Sequence, residues 1–253
     1  YLAVSFCRGC ACPERVKPLC SEYLYYGNAV RQRSPEEIVG EVITLPGKTV
    51  VLLDEDIARF PEFYSDVFTR LWDYRRHWFV TASSRLFEHP NFIRLLAKVG
   101  VKSVLLDETF ISDRLQEAIA NPKLVREFYR ATKTLQSRRI LVGTRITLNV
   151  DLYRTLGYEM IARILLHADV DFILTRFLEI EPDGTHRLIT PEYRPDLLPN
   201  DPARIRQHFY SLRACLDRLV RRPRRVGFYS TLTYLLPLSM AYRHQFFEGI
   251  PDH

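Results

Sequence analysis

The stretch of sequence that decides the fold is HWFVTASSRLFEHPNFIRLLAKVGVKSVLLDET, residues 77–109. Its first segment, HWFVTASS (77–84), is an apolar run that ends in small polar residues, as a strand does. NFIRLLAKVG (91–100) has helical spacing and a Gly stop, and VKSVLLDET (101–109) is a second strand that ends in acids. A strand, a helix and a strand in this order predict a right-handed crossover between parallel strands.

The same alternation extends from this stretch in both directions. TVVLLDED (49–56) is a continuous apolar run followed by acids, typical of a buried parallel strand. SPEE (34–37) is a capping box and predicts a helix over about 35–44. PEFYSDVFTRLWDYR (61–75) is predicted to be a helix, because its apolar residues Phe63, Val67, Phe68 and Leu71 have the 3,4-spacing of one. The remaining predicted elements are a strand at 2–6, a helical region at 112–136, a strand at 138–149, a helix at 151–167 and a strand at 170–181.

These repeated units predict an α/β protein with parallel strands, arranged as an open doubly wound sheet or as a full or partial barrel. After residue 185 the pattern changes, because 186–202 contains four prolines and has no clear period. Residues 203–221 and 229–247 then have the pattern of two helices. We therefore expect a core over 1–185 and a C-terminal appendage over 186–253, made of an extended segment and two helices.

Both architectures place functional residues at the carboxyl ends of the strands, and this chain has polar residues there. The candidates for cofactor binding are Asp54, Asp56, Ser83, Glu108, Thr109 and Arg145. Loops that follow strands are polar in any case, so this pattern alone leaves both a site and ordinary loops open.

Composition favours an ordinary globular protein, with 47% hydrophobic and 26% charged residues. The net charge of +6 comes partly from RLVRRPRRVG (218–227), which is more often a solvated corner than a nucleic-acid site, and no recognised nucleic-acid motif accompanies it. No apolar run is long enough for a transmembrane helix, and there is no signal peptide at the start. The chain begins at Tyr1 without Met, which indicates a piece of a longer polypeptide.

Four of the five cysteines lie within CRGCACPERVKPLC, residues 7–20. Thiolates close together after a first strand are suited to zinc or to an iron–sulfur cluster. Zinc usually requires two C-x2-C pairs or nearby histidines, and only Cys7 and Cys10 form such a pair here. Unmodified thiols remain an alternative, and the absence of a secretory signal favours a reducing compartment, the cytoplasm. Cys215 lies at an apolar position of a helical pattern and is expected in the core.

In their order and spacing, several segments resemble radical S-adenosylmethionine (radical SAM) proteins, especially the branch that also carries a cobalamin-binding domain. The resemblance begins with Arg8-Gly9-Cys10, Cys20, Tyr26-Gly27 and Arg33-Ser34-Pro35-Glu36. It continues through VVLLDEDIARFPEF, VTASSRLFEHPNFIRLLAKVGVKSVLLDETFIS, RILVGTRITLN and FLEIEPDGT, which resemble strands two to six of that family. The fold it implies is a parallel, partial (β/α)6-type TIM-like barrel.

The resemblance also implies chemistry. Three cysteines would bind a 4Fe–4S cluster whose fourth iron is chelated by S-adenosylmethionine, for radical chemistry or methyl transfer on a small-molecule substrate, with a one-electron reductant. The metal ligands implied are Cys10, Cys12 and Cys20, with Cys7 as a spare. Cobalamin would be supplied by a domain before Tyr1. The acid that usually binds the ribose on strand four aligns with Thr109, next to Glu108.

The cysteine spacing, C-x2-C-x-C-x7-C, differs from the C-x3-C-x2-C of that family. Three hypotheses therefore stand: a radical SAM enzyme with an unusual cysteine loop, a homologue that has lost its cluster and acts as a binding or scaffold module, and an α/β protein stabilised by zinc. The substrate and the oligomeric state do not follow from the sequence.

Overall fold

The computed structural model describes residues 2–10, 23, 26–180, 186–189 and 209 of the chain. The strands are β1 (Leu2–Val4), β2 (Cys7–Arg8), β3 (Arg31–Gln32), β4 (Thr49–Leu52), β5 (His77–Ala82), β6 (Val101–Leu106), β7 (Leu141–Asn149), β8 (Phe172–Ile180) and β9 (His186–Ile189). The helices are α1 (Pro35–Thr44), α2 (Pro61–Arg70), α3 (Pro90–Lys98), α4 (Leu115–Ala120), α5 (Pro122–Gln136) and α6 (Val150–His167).

The fold class is the predicted one, an α/β fold with a six-strand parallel sheet and helices, consistent with a partial TIM-like barrel. The chain divides into two compact units, one made of Tyr1–Asp107 with Leu178–Leu188 and the other of Glu108–Phe177 with Ile189–His253. The two helices expected in the C-terminal appendage lie outside the described residues. The predicted boundary at residue 185 therefore stays a prediction.

In the first unit, β1, β4, β5 and β6 are neighbours in that order and pair in parallel. Val4 lies opposite Leu52 at the carboxyl end of the first pair, and Ala82 lies opposite Leu106 at the end of the last. Alternate residues of β4 and β5 are buried, because each strand turns one face to the helices and one to the opposite side. This arrangement places the residues that follow β1, β4, β5 and β6 at one edge of the sheet.

The predicted start of α1 is confirmed. Ser34 Oγ accepts a hydrogen bond from the amide of Glu37, and the Glu37 carboxylate accepts one from the amide of Ser34, so the capping box is complete. Pro35 occupies the first turn, where its missing N–H costs nothing.

One detail of the predicted helices was wrong, and another was not predicted. The helical region at 112–136 is interrupted, because Pro122 cannot continue α4 and instead begins α5, with Asn121 capping the amide of Lys123. In α2 the buried position is Tyr64 and not Phe63, which is half-buried. Tyr64 packs against Phe6 and Phe68 in an aromatic core that also contains Trp78.

In the second unit, β7 and β8 begin side by side. The buried carboxylate of Asp171 accepts hydrogen bonds from the Val142 amide and from the Gln136 side chain, while the Asp171 amide donates to the Val142 carbonyl. Gly143 has no room for a side chain, because a Cβ atom there would lie 2.1 Å from the ring of Phe172. Together these contacts fix how β7 and β8 align with each other and where α5 packs beside them.

Candidate functional site

A buried carboxylate lies at the carboxyl end of β4. Asp54 is 5% exposed, and both of its oxygens accept hydrogen bonds from the segment that follows β1. The amide of Phe6 lies 3.0 Å from Oδ1, the amide of Cys7 lies 3.0 Å from Oδ2, and Ser5 Oγ lies 2.8 Å from Oδ1. Burial raises the pKa of Asp54, and the hydrogen bonds that it accepts act against this rise.

Tyr64, which projects from α2, completes this arrangement. Its hydroxyl donates to Asp54 Oδ2 over 2.7 Å and lies 3.4 Å from Cys7 Sγ. The carboxylate is the closer of the two acceptors that face this hydroxyl, and the Cys7 sulfur is the more distant one. Burial raises the pKa of Cys7 to about 11. We call Ser5, Phe6, Cys7, Asp54 and Tyr64 the Asp54 network.

Cys10 lies just beyond the Asp54 network, where two short segments of the chain come together. We call these segments, 7–10 and 26–32, the loop neck. Here β2 pairs with β3 in an antiparallel manner, and the amide of Cys10 donates to the carbonyl of Gly27 over 3.0 Å. Arg8 extends over the ring of Tyr26 and donates to its hydroxyl. The half-buried Cys10 is therefore held where the chain enters the rest of the cysteine segment.

Two glycines make the loop neck possible. Gly9 has φ +90°, and a Cβ atom on it would lie 2.1 Å from the carbonyl oxygen of Ala29. Gly27 has φ +76°, in the left-handed region that favours glycine. Both are among the residues on which the sequence resemblance rests, and the structure gives each a backbone role.

Cys12 and Cys20 lie outside the described residues, so only Cys7 and Cys10 of the four predicted ligands have a described position. Within the part of the chain that the structure describes, no three His, Cys, Asp or Glu side chains form a group able to hold a metal ion. Cys7 and Cys10 differ in their surroundings, since only Cys7 belongs to the Asp54 network.

Asp56 and Ser83 are brought together at the ends of β4 and β5. Asp56 caps the short 3-10 helix Ile57–Arg59, because its Oδ1 accepts a hydrogen bond from the amide of Ala58. The same oxygen accepts a hydrogen bond from the amide of Ser83 over 2.8 Å. Ser83 is 5% exposed, and its hydroxyl has no hydrogen-bond partner among the described residues. Asp56 therefore fixes the backbone at the end of β5 and leaves the Ser83 hydroxyl available.

In the second unit, Glu108 and Arg145 are close together. The Glu108 carboxylate accepts a hydrogen bond from Thr147 Oγ1 over 2.9 Å, and its other oxygen lies 3.5 Å from Arg145 Nη1. Ser112 Oγ donates a hydrogen bond to the carbonyl of Thr147 and accepts one from the amide of Thr147, and so fixes the backbone there. Glu108 is half-buried in these contacts, whereas Thr109 is exposed.

The sequence did not point to Ser5 or Tyr64, the two side chains that complete the hydrogen bonds of Asp54. One signal for Tyr64 was present: it lies next to Phe63 on an apolar helix face, and a tyrosine buried there needs a partner for its hydroxyl. Ser5 offered no comparable signal, because it is a single small polar residue within the strand predicted at 2–6.

With this geometry in place, comparison with known proteins identifies the class. The family model described as "Radical SAM superfamily" matches residues 4–168, which is more than half of the chain. The chain belongs to the radical SAM superfamily. A search of the curated proteins found no match.

Members of this superfamily are generally enzymes, and they typically use a 4Fe–4S cluster and S-adenosylmethionine. The residues present fit that group, because Cys10 is a half-buried thiol fixed at the loop neck and two further thiols follow it in the sequence. Among the described residues, no helix is both long and apolar enough to cross a membrane.

Proposed function

We propose that this chain is a radical SAM enzyme that holds a 4Fe–4S cluster with Cys10, Cys12 and Cys20 and acts on a small-molecule substrate. The observation that supports this most is the position of Cys10. It follows the first strand, its amide is bonded to Gly27, and the chain belongs to a family that places its cluster after that strand. When bound, the cluster supplies the electron that cleaves S-adenosylmethionine.

The chain's own residues would bind the cofactor and orient it. Glu108 is the proposed acid for the ribose hydroxyls, because Thr147 and Arg145 already orient its carboxylate while Thr109 is exposed. Within the first unit, the buried Ser83 hydroxyl, on a backbone fixed by Asp56, stays a proposed residue for cofactor binding. Arg145, whose Nη1 lies 3.5 Å from the Glu108 carboxylate, holds that carboxylate in place.

Anaerobic reconstitution with iron and sulfide tests the cluster. We expect about four irons per chain and a reduced signal that S-adenosylmethionine perturbs. Cys10→Ala, Cys12→Ala and Cys20→Ala should each lose iron, and Cys215→Ala, the matched control from the same chain, should retain it. A wild-type protein that takes up no iron would overturn the proposal in favour of a scaffold, and zinc in the purified protein would indicate the zinc-stabilised alternative.

We further propose a one-electron reductant as partner and the cytoplasm as compartment, since thiols that bind a cluster require reducing conditions. The sequence from Arg33 to Glu36 supports the cobalamin-associated branch as a proposal, with radical chemistry or methyl transfer as the reaction. Methyl transfer from S-adenosylmethionine that depends on cobalamin, measured with any segment that precedes Tyr1 included, would support this branch, and a rate unchanged by cobalamin in that protein would exclude it.

A further inference from the structure

The Asp54 carboxylate accepts hydrogen bonds from four groups of its own chain. Its two oxygens face the amides of Phe6 and Cys7 and the hydroxyls of Ser5 and Tyr64. A carboxylate has about four lone-pair positions for acceptance, and these donors use them. Asp54 therefore has its hydrogen-bonding capacity committed before any ligand arrives.

The position of Asp54 explains what these bonds do. The β1–β4 ladder ends where Val4 lies opposite Leu52, and the last backbone bond runs from the Leu53 amide to the Val4 carbonyl. Beyond that point the Asp54 carboxylate, and not a backbone carbonyl of β4, accepts the hydrogen bonds of the amides of Phe6 and Cys7. It thus turns the chain out of β1 and into β2, without leaving buried amides unpaired.

The path from Asp54 to Cys10 is short and continuously bonded. Cys7 begins β2, where it lies opposite Gln32, and Gly9 makes the tight approach to Ala29. Cys10 follows at once, with its amide on the Gly27 carbonyl. A displacement of Cys7 would therefore pass directly to the backbone of Cys10.

The surroundings of Cys7 do not favour metal binding. Its sulfur lies 3.4 Å from the Tyr64 hydroxyl, and that hydroxyl is bonded to the Asp54 carboxylate. A thiolate, which is the form that binds iron, would bring a second negative charge beside Asp54. Cys10 is not part of this network.

We propose that Asp54 is a positioning residue for the cluster segment and that Cys7 is part of the same network and not an iron ligand. The inference rests on the proposed function, and it selects three ligands from the four cysteines of CRGCACPERVKPLC. It also assigns Asp54 and Cys7 roles other than cofactor and metal binding.

The test compares full-length wild type, Cys7→Ala, Asp54→Asn and Tyr64→Phe after anaerobic reconstitution. Cys7→Ala should retain the iron content and the electron paramagnetic resonance spectrum of wild type. Asp54→Asn should lose at least half of the iron. The NH2 group of an asparagine side chain cannot accept the hydrogen bonds that the backbone amides of Phe6 and Cys7 donate at this position. Tyr64→Phe should retain the iron and shift the midpoint potential of the cluster, a readout that a purely structural role would not change.

Exposed residues of the same unit provide matched controls, Asp73→Asn for Asp54 and Tyr74→Phe for Tyr64. If Asp54→Asn fails to fold, as circular dichroism would show, Tyr64→Phe decides the positioning role. Iron loss in Cys7→Ala would overturn the inference, as would a Tyr64→Phe cluster identical to that of wild type in spectrum and potential. A wild type that binds no iron is a separate result, since it refutes the proposed function itself.

Discussion

At the scale of single residues, Cys7 shows how burial changes a thiol. The pKa of Cys7 is raised to about 11, first by burial and further by the nearby Asp54 carboxylate. At pH 8 only about one thiol in a thousand would be ionised, against roughly a quarter for a cysteine of ordinary pKa. A thiolate of higher pKa is intrinsically more nucleophilic, which offsets about tenfold of that difference.

We therefore expect Cys7 in folded, cluster-free protein to react with iodoacetamide at least about tenfold more slowly at pH 8 than an unburied thiol. The rate should keep rising with pH up to about 11, because the thiolate forms only there. Mass spectrometry can follow this cysteine alone, since trypsin releases it in residues 1–8, apart from Cys10 and Cys12 in 9–15.

The same protein unfolded in urea is the control, and there Cys7 should react at the rate of an ordinary thiol. Rapid alkylation of Cys7 in the folded protein, with a midpoint near pH 8.5, would contradict the raised pKa that follows from its half-buried position.

The sequence predicted these site residues unequally. Glu108 and Arg145 were both candidates, and the structure brings them together with Thr147. Asp56 and Ser83 are also joined, through a backbone amide that no residue pattern could have indicated. The role of Asp54 was not predictable, because it depends on where the β1–β4 ladder ends, which is a matter of register and not of composition.

At the scale of elements, α1 is capped at both ends by side chains. Ser34 and Glu37 satisfy its first amides. At the other end Arg76, which is 8% exposed, donates to the carbonyls of Val42 and Leu45 over 2.8 and 3.0 Å, and also to Gly47. A cation at a helix C-terminus is favourable, because the last carbonyls of a helix lack the full set of partners that its interior carbonyls have.

Arg76→Met should therefore lower the free energy of unfolding by about 2–3 kcal/mol, since it removes the charged hydrogen bonds that a buried guanidinium donates to the carbonyls of Val42, Leu45 and Gly47. Urea unfolding followed by circular dichroism would measure this loss. Arg94→Met is the matched control, because Arg94 is exposed on α3, and it should change stability by less than about 0.5 kcal/mol. An equal effect of the two substitutions would show that Arg76 does not cap α1.

Element order was the most predictable feature of this chain. The apolar runs of β4, β5 and β6 and the capping box of α1 are local signals, and the structure bears them out. The tight loop neck was not predictable, because its antiparallel pair is only two residues long and depends on Gly9 approaching Ala29. A pair of that length carries no period that a sequence could display.

At the scale of the whole molecule, ligand binding and stability are linked. A ligand that binds only the folded protein adds about 2.7 kcal/mol to its stability when present at a hundred times its Kd. S-adenosylmethionine should therefore stabilise the reconstituted protein, with a rise in the urea midpoint of roughly 1 M for a chain of this size.

Glu108→Gln should reduce this stabilisation by about half. An amide has one acceptor oxygen where the carboxylate has two, and Arg145 would lose its charged partner. A tenfold loss of affinity corresponds to about 1.4 kcal/mol.

The measurement is anaerobic urea unfolding of the reconstituted protein with and without S-adenosylmethionine. Glu117→Gln, an exposed acid of the same unit, should behave as wild type. A Glu108→Gln variant that keeps the full shift would exclude Glu108 from the cofactor site, and a wild type without any shift would show that S-adenosylmethionine is not bound.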